Sequence, residues 1–137
     1  MRKTTLCLIG AAVTLLVSSL SAIAADFPGR AKYPKVKTIS TSELSAAVKA
    51  GSAVIVDVRS AMEFGVIHPT GAVHIPVSDM KFENIIKELA AKNASKTVAM
   101  YCNGVTCYKS YEAAERATAA GVANVVAYDA GIPDWAA

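Results

Sequence analysis

Cysteine, histidine and charge are all scarce in this chain of 137 residues, and each shortage rules something out. Three cysteines cannot build the disulfide framework of a small secreted scaffold. Two histidines, His68 and His74, lack clustered carboxylates or thiolates at ligand spacing, which argues against a metal site. Each reads instead as a loop-packing residue. Charged residues make up 18% of the chain and form no basic stripe interleaved with aromatics, so no nucleic-acid partner is expected. There is no internal repeat, no low-complexity tract, no cofactor signature and no sign of a second domain.

The long apolar run that does occur is at the N-terminus. Arg2 and Lys3 precede an apolar segment from Leu6 to Leu20, and Ala22-Ile23-Ala24 follows as a small-residue cleavage site. Together they read as a secretory signal peptide over residues 1–25. The run is short for a membrane span and carries Ser18 and Ser19, so removal is expected, with no membrane association afterwards. The mature protein is then exported, and periplasmic if the source is Gram-negative. Losing Arg2 and Lys3 takes the bases from 14 to 12 against 11 acids, and the net charge from +3 to +1.

Residues 26–37 hold Pro28, Gly29 and Pro34 among basic residues without apolar periodicity, and read as an extended N-terminal lead. Residues 38–137 read as one domain. Ser40-Thr41-Ser42-Glu43 is a capping box, followed by Leu44, Ala47 and Val48 at helical spacing up to Gly51. Ala53 to Val58 is a continuous β-branched run, as in a strand buried on both faces. Arg59 to Phe64 reads as a short helix or turn, and a loop then feeds a short strand at Ala72 to Ile75. Ser78-Asp79 is expected to cap a helix with the stripe Phe82, Ile85, Ile86 and Leu89. Thr97 to Tyr101 and Asn124 to Tyr128 are further strands, separated by a helix from about Ser110 to Ala120 that Gly121 ends. Gly131 to Trp135 turns the chain. This alternation predicts an α/β fold, a mostly parallel central sheet with helices on both faces.

The chemistry concentrates in Tyr101-Cys102-Asn103-Gly104-Val105-Thr106-Cys107-Tyr108-Lys109-Ser110. A cysteine at the end of a buried strand, followed by a small-residue loop and a helix start, is placed to become a reactive thiolate. Loop N–H groups and the positive helix end converge there and lower its pKa. Once the signal is gone, Cys102 and Cys107 are the only cysteines left. A bridge over so short a loop removes little chain entropy, so a pairing between them is redox-active rather than structural. Asp57-Val58-Arg59 falls at the C-terminal end of a central strand, where ligands collect in open α/β sheets, and suits a supporting role.

The order of these segments resembles the rhodanese-like domain family. Asp57-Val58-Arg59, Glu63-Phe64, then His68 with Gly71-Ala72-Val73-His74-Ile75-Pro76 are similar to that family's N-terminal signature. Cys102 with Lys109-Ser110 resembles its active-site loop, and Ala130-Gly131-Ile132-Pro133-Asp134-Trp135 its closing segment. The resemblance implies a small rhodanese-like domain acting as a sulfurtransferase without cofactor. Cys102 would attack the outer sulfur of a thiosulfate-like anion and form a persulfide, which cyanide or a thiol would discharge. Loop N–H groups from Asn103 to Lys109 would stabilise developing charge, and Lys109 would attract the donor. The implied partners are a small anionic sulfur donor, a thiol or protein sulfur acceptor, and an exported thiol–disulfide partner.

This chain departs from the family pattern in ways that bear on function. The loop from Cys102 to Lys109 is two residues longer than usual, Cys107 has no counterpart, Ile67 stands where Gly precedes the His, and Ala130 replaces a Gly. Cys107 is accordingly a candidate resolving thiol that could convert the persulfide to a disulfide. It also remains an alternative primary nucleophile, since Lys109 and Ser110 follow it closely. A cysteine phosphatase would need an Arg six residues after Cys102, where Tyr108 stands. The main alternative is a non-catalytic or redox sulfur-carrier or partner-binding module that uses the Cys102/Cys107 pair.

Overall fold

The computed structural model describes residues 27–137, so the signal-peptide reading of residues 1–25 lies outside the described residues. Four parallel strands form the sheet: β1 (Ala53–Asp57), β2 (Val73–His74), β3 (Thr97–Tyr101) and β4 (Val125–Tyr128). They lie in the order β2-β1-β3-β4. Ala53 to Asp57 pairs residue by residue with Thr97 to Tyr101, so both central strands end level, at the edge where the loops gather. Residues 37–39 run beside β4, with Ala127 N–H donating to the Lys37 carbonyl and Ile39 N–H to the Ala127 carbonyl.

Among the described residues, six helices connect and cover the strands: α1 (Pro28–Lys32), α2 (Thr41–Lys49), α3 (Ala61–Val66), α4 (Phe82–Lys92), α5 (Lys109–Ala119) and α6 (Gly131–Ala136). Strand side chains alternate between the sheet faces, and the core divides accordingly. Val56, Val98 and Met100 pack with Phe82 and Ile86 of α4 and Ala113, Ala114 and Ala117 of α5. Ile55, Ala99 and Tyr101 pack on the other face with Leu44 of α2 and Ile132 and Trp135 of α6. Helices therefore do cover both faces. Leu44, Phe82 and Ile86 are fully buried, which contributes about 1.5–3 kcal/mol each.

Local chemistry sets the helix starts. Ser40 caps α2 as expected, its side chain taking the Glu43 N–H while the Glu43 carboxylate takes the Ser40 N–H. Ser60 and Glu63 do the same for α3. The cap expected from Ser78-Asp79 does not form at the helix. Helix α4 starts at Phe82 after Lys81, and Asp79 instead closes a turn by accepting the Lys81 N–H at 2.8 Å.

Two expectations at the ends of the domain need correction. The lead is helical rather than extended over Pro28–Lys32, with Pro28 in the first turn, where its missing N–H costs nothing. It also packs on the domain: the Tyr33 ring stacks on Tyr111 at 5.6 Å, and Arg30 Nε donates to Asp129 at 2.8 Å. A Cβ on Gly29 would lie 2.1 Å from the Tyr111 ring, so only glycine allows this approach. At the C-terminal end, Gly131–Ala136 forms helix α6 rather than a turn. Pro133 sits in its first turn and breaks no hydrogen bond there.

Candidate active site

Strand β3 delivers Cys102. Val98 and Met100 face the α4/α5 layer, and Cys102 continues that alternation with the same core. It is 1% exposed. Its Sγ lies 3.2 Å from the Cys107 carbonyl oxygen and 3.6 Å from Ser110 Oγ in the first turn of α5. Between them, Gly104 takes a φ of 138°, open to glycine but costly for other residues. The Cys107 N–H then donates to the Gly104 carbonyl at 2.9 Å. That turn brings the longer loop back on itself and returns Cys107 to Cys102. Both are free thiols, Cys102 buried and Cys107 half-buried.

The two cysteines lie side by side in the loop, with the Cys102 S–H donating to the Cys107 carbonyl oxygen, and each shifts the other's proton affinity. The adjacent Cys107 side chain is the main influence holding the Cys102 proton in place, burial and the neighbouring charge add to it, and the Ser110 donors only partly oppose it. The Cys102 thiol is thus pushed well above its ordinary range. Cys107 shifts the other way, to about 6, chiefly through the adjacent Cys102 side chain. Burial opposes the shift, while the Lys109 and Asn103 N–H groups and the Lys109 charge assist it. The two shifts run in opposite directions, Cys107 towards the thiolate and Cys102 towards the thiol.

Asp57 and Arg59 form the floor beside the loop. Both are buried, and Arg59 Nη2 lies 2.6 Å from Asp57 Oδ2. The Arg59 N–H also donates to Asp57 Oδ1 at 2.9 Å, and the Tyr101 hydroxyl donates to Asp57 Oδ2. Arg59 spends its remaining donors on the loops, to the Ile67 carbonyl at 2.6 Å and to Asn103 Oδ1 at 3.1 Å. Asn103 in turn donates through Nδ2 to Glu63. Glu63 is held down to about 2 by the Ser60 hydroxyl first, then by Asn103. Residue 103, immediately after Cys102, is thereby clamped by Arg59 just past strand β1 and by Glu63 of helix α3. Arg59, itself held by Asp57, thus reaches the loop through Asn103.

The closing segment acts through close approach. Gly131 has a φ of 66°, and a Cβ there would lie 2.5 Å from both the Cys102 carbonyl and the Gly104 nitrogen. Val105, Thr106, Tyr108 and Lys109 are exposed around the mouth, while Gly104 and Ser110 are buried. Lys32 Nζ stands 4.6 Å from the Tyr108 ring centroid, so the N-terminal helix adds a cation to the same rim. His68 and His74 stack on Phe64 at 3.9 Å and 4.6 Å and bond backbone carbonyls, as packing residues do. Among the described residues no group of three His, Cys, Asp or Glu side chains could hold a metal ion, and no helix is long and apolar enough to cross a membrane. A surface cavity of about 300 Å³ lies at the other end of β3, lined by Lys87, Lys96 and Asn124, away from the thiols.

Sequence reasoning brought Cys102, the loop through Ser110, Asp57 and Arg59 to one place. It missed the Asn103–Glu63 clamp and the contribution of Lys32 and Tyr33. The Ser60-x-x-Glu63 capping box was a readable signal for the first. The second carried none, because a five-residue helix is too short to show a period.

Comparison with known proteins fits this geometry. A protein-family model described as a rhodanese-like domain matches residues 40–137. The HTH-type transcriptional regulator Rv0324 of Mycobacterium tuberculosis is 30% identical over 97 residues, which is 71% of this chain but only 40% of the regulator. The protein YibN of Escherichia coli K12 is 29% identical over 102 residues, 74% of this chain and 68% of YibN. The solved structure of the human single-domain sulfurtransferase TSTD1 superposes with a TM-score of 0.62 at 22% identity, covering 74% of this chain and 96% of that one. At that identity the likeness is one of fold.

Proposed function

This chain belongs to the rhodanese-like domain family, and on that premise we propose that it is a sulfurtransferase. It moves sulfane sulfur from a small thiosulfate-like anion to a thiol or cyanide acceptor through a cysteine persulfide in the 102–110 loop. The observation that carries this reading is the pair of free thiols brought together before α5, with Cys102 Sγ 3.2 Å from the Cys107 carbonyl oxygen. The helix end and the Lys109 charge favour a thiolate there at neutral pH. They also draw in an anionic donor and stabilise the departing sulfite. No resident cofactor is required, because the sulfur is carried covalently. The N-terminal signal read in the sequence places this chemistry, in the same proposal, in an exported compartment.

A carrier or docking module is the second reading. It is favoured by Met62 and Val66, 81% and 80% exposed on α3, the helix whose Glu63 holds the loop residue Asn103. Such a face suits a protein acceptor. One assay separates the two readings. Reduced protein given thiosulfate should pass its sulfane sulfur on, as thiocyanate to added cyanide or as sulfide to an added dithiol, and the Cys102→Ser/Cys107→Ser double variant should form neither. A folded, reduced protein that takes up no sulfur from thiosulfate would refute the transferase reading.

A further inference from the structure

The two thiols differ in three respects. Solvent reaches Cys107, whereas Cys102 is 1% exposed within the core. The Asn103 and Lys109 N–H groups favour charge on the Cys107 sulfur, whereas the Cys102 sulfur lies 3.2 Å from a carbonyl oxygen and has Ser110 as its donor. Cys102 holds the proton and Cys107 the charge. A dissolved donor therefore meets Cys107 first, and meets it as the better nucleophile.

Resting on the sulfurtransferase reading, we propose that Cys107 is the thiol that receives the sulfane sulfur, and that Cys102 is a built-in acceptor that expels it as sulfide. In the first step the Cys107 thiolate attacks the outer sulfur of the donor. The donor's S–S bond breaks and sulfite leaves with the bonding pair, so Cys107 bears a persulfide. In the second step Cys102 Sγ attacks Cys107 Sγ, the persulfide S–S bond breaks, and hydrosulfide departs with its electron pair and the Cys102 proton. Two thiols are oxidised to one disulfide, and the sulfane sulfur is reduced to sulfide. An external dithiol then returns two electrons and two protons and restores the pair. The two residues already meet, since Cys102 Sγ lies 3.2 Å from the Cys107 carbonyl oxygen and the Cys107 side chain packs against the same core cluster as Cys102. Persulfide on Cys107 is thus a transient species, and the protein generates sulfide at the expense of a dithiol.

The test is a single turnover. The reduced full chain is given thiosulfate without cyanide or reductant, sulfide and free thiols are counted, and the sulfur is located by peptide mass mapping. The wild type should release one sulfide per chain and lose both thiols. Cys102→Ser should hold a persulfide on Cys107 and release no sulfide, and Cys107→Ser should take up no sulfur. The serine hydroxyl at 102 retains the Cys107 carbonyl and Ser110 hydroxyl as partners, and Cys102→Ala, which should behave alike, checks that it adds no chemistry of its own. Persulfide on Cys102 in Cys107→Ser, with Cys102→Ser unreactive, overturns the assignment, as does a wild type that keeps its persulfide and releases no sulfide. If no form takes up sulfur, the sulfurtransferase reading itself is lost.

Discussion

The thiolate on Cys107 makes a quantitative prediction about its rate of alkylation. Iodoacetamide is added to the reduced protein across a range of pH, and modification of each cysteine is followed by mass mapping. An ordinary thiol with a pKa of about 8.5 is roughly 3% ionised at pH 7. Cys107, pulled down to about 6, is about nine-tenths ionised there, some thirtyfold more. A low-pKa thiolate is also intrinsically less nucleophilic. The slope measured for attack on disulfides, about 0.4–0.5, removes roughly tenfold over that shift. The net advantage over a free cysteine is then about twofold to threefold at pH 7, grows to about twentyfold at pH 5.5, and becomes a disadvantage of about tenfold at pH 9. Cys107 should therefore show a rate that rises through pH 6 and is flat above pH 7, while Cys102 reacts far more slowly throughout. Replacing Cys102 by Ala removes the main cause of the shift and should move the inflection towards the ordinary range. A wild-type inflection between pH 8 and 9, or one that Cys102→Ala leaves in place, would refute the charge assignment. Stability should follow the same titration. Between about pH 6 and the ordinary thiol pKa the unfolded chain binds a proton that folded Cys107 does not, so stability rises with pH over that window and is lost as pH falls through 6. Above the window the folded state keeps the Cys102 proton that the unfolded chain releases, so stability falls again.

Two further predictions concern the groups that hold the loop. Asp57→Leu or Arg59→Met alone leaves a buried charge without its partner and should cost about 3–5 kcal/mol in urea unfolding. The double variant should cost at least about 2 kcal/mol less than the sum, and strict additivity would show that the pair is not coupled. Gly131→Ala combines a left-handed φ with overlap on three backbone atoms of the loop. It should cost roughly 2–5 kcal/mol and alter Cys107 alkylation. Gly51→Ala has a similar φ of 68° but open space around it, so it should cost only about 1–2 kcal/mol and leave the thiols unchanged. Equal losses at the two positions would show that backbone conformation alone, and not contact with the loop, fixes glycine at 131.

How far the sequence could be read depended on whether an element carries its own periodic or capping signal. Strand β3 was legible to the residue, because Thr97 to Tyr101 is a short apolar run between turn residues that feeds directly into the cysteine loop. The run that forms β1 was read through Val58, one residue beyond Asp57. Val58 lies past the last paired residue, and its N–H still donates to the Tyr101 carbonyl. Helices α1 and α6, at five and six residues, were illegible because neither completes two turns and each contains a proline. Both owe their existence to tertiary contacts, α1 on Tyr111 and Asp129, α6 on Tyr128 and the cysteine loop. At the site, sequence position was enough to bring Cys102 and Cys107 together, because few residues separate them. Which sulfur the backbone N–H groups would face was not in the sequence. It depends on the path of the loop, and that path turns on Gly104 at a φ of 138° and the hydrogen bond it accepts from Cys107.

That path bears directly on what the longer loop does. A loop at a helix start has few N–H groups to offer an anion, and here they are divided. The Cys107 N–H is consumed by the Gly104 carbonyl, Asn103 and Lys109 serve the Cys107 sulfur, and Ser110 serves Cys102. Two adjacent thiolates would need roughly twice that supply, and like charges at such a distance in a half-buried site repel strongly. The site can therefore ionise one sulfur and must keep the other protonated. A loop built around a single cysteine has no such constraint, and its persulfide waits for an external acceptor. In the mechanism proposed above, Cys107 brings a second sulfur beside the first, and Cys102 keeps the proton that a departing hydrosulfide needs. On that proposal, the longer loop is what lets the site discharge its own sulfur.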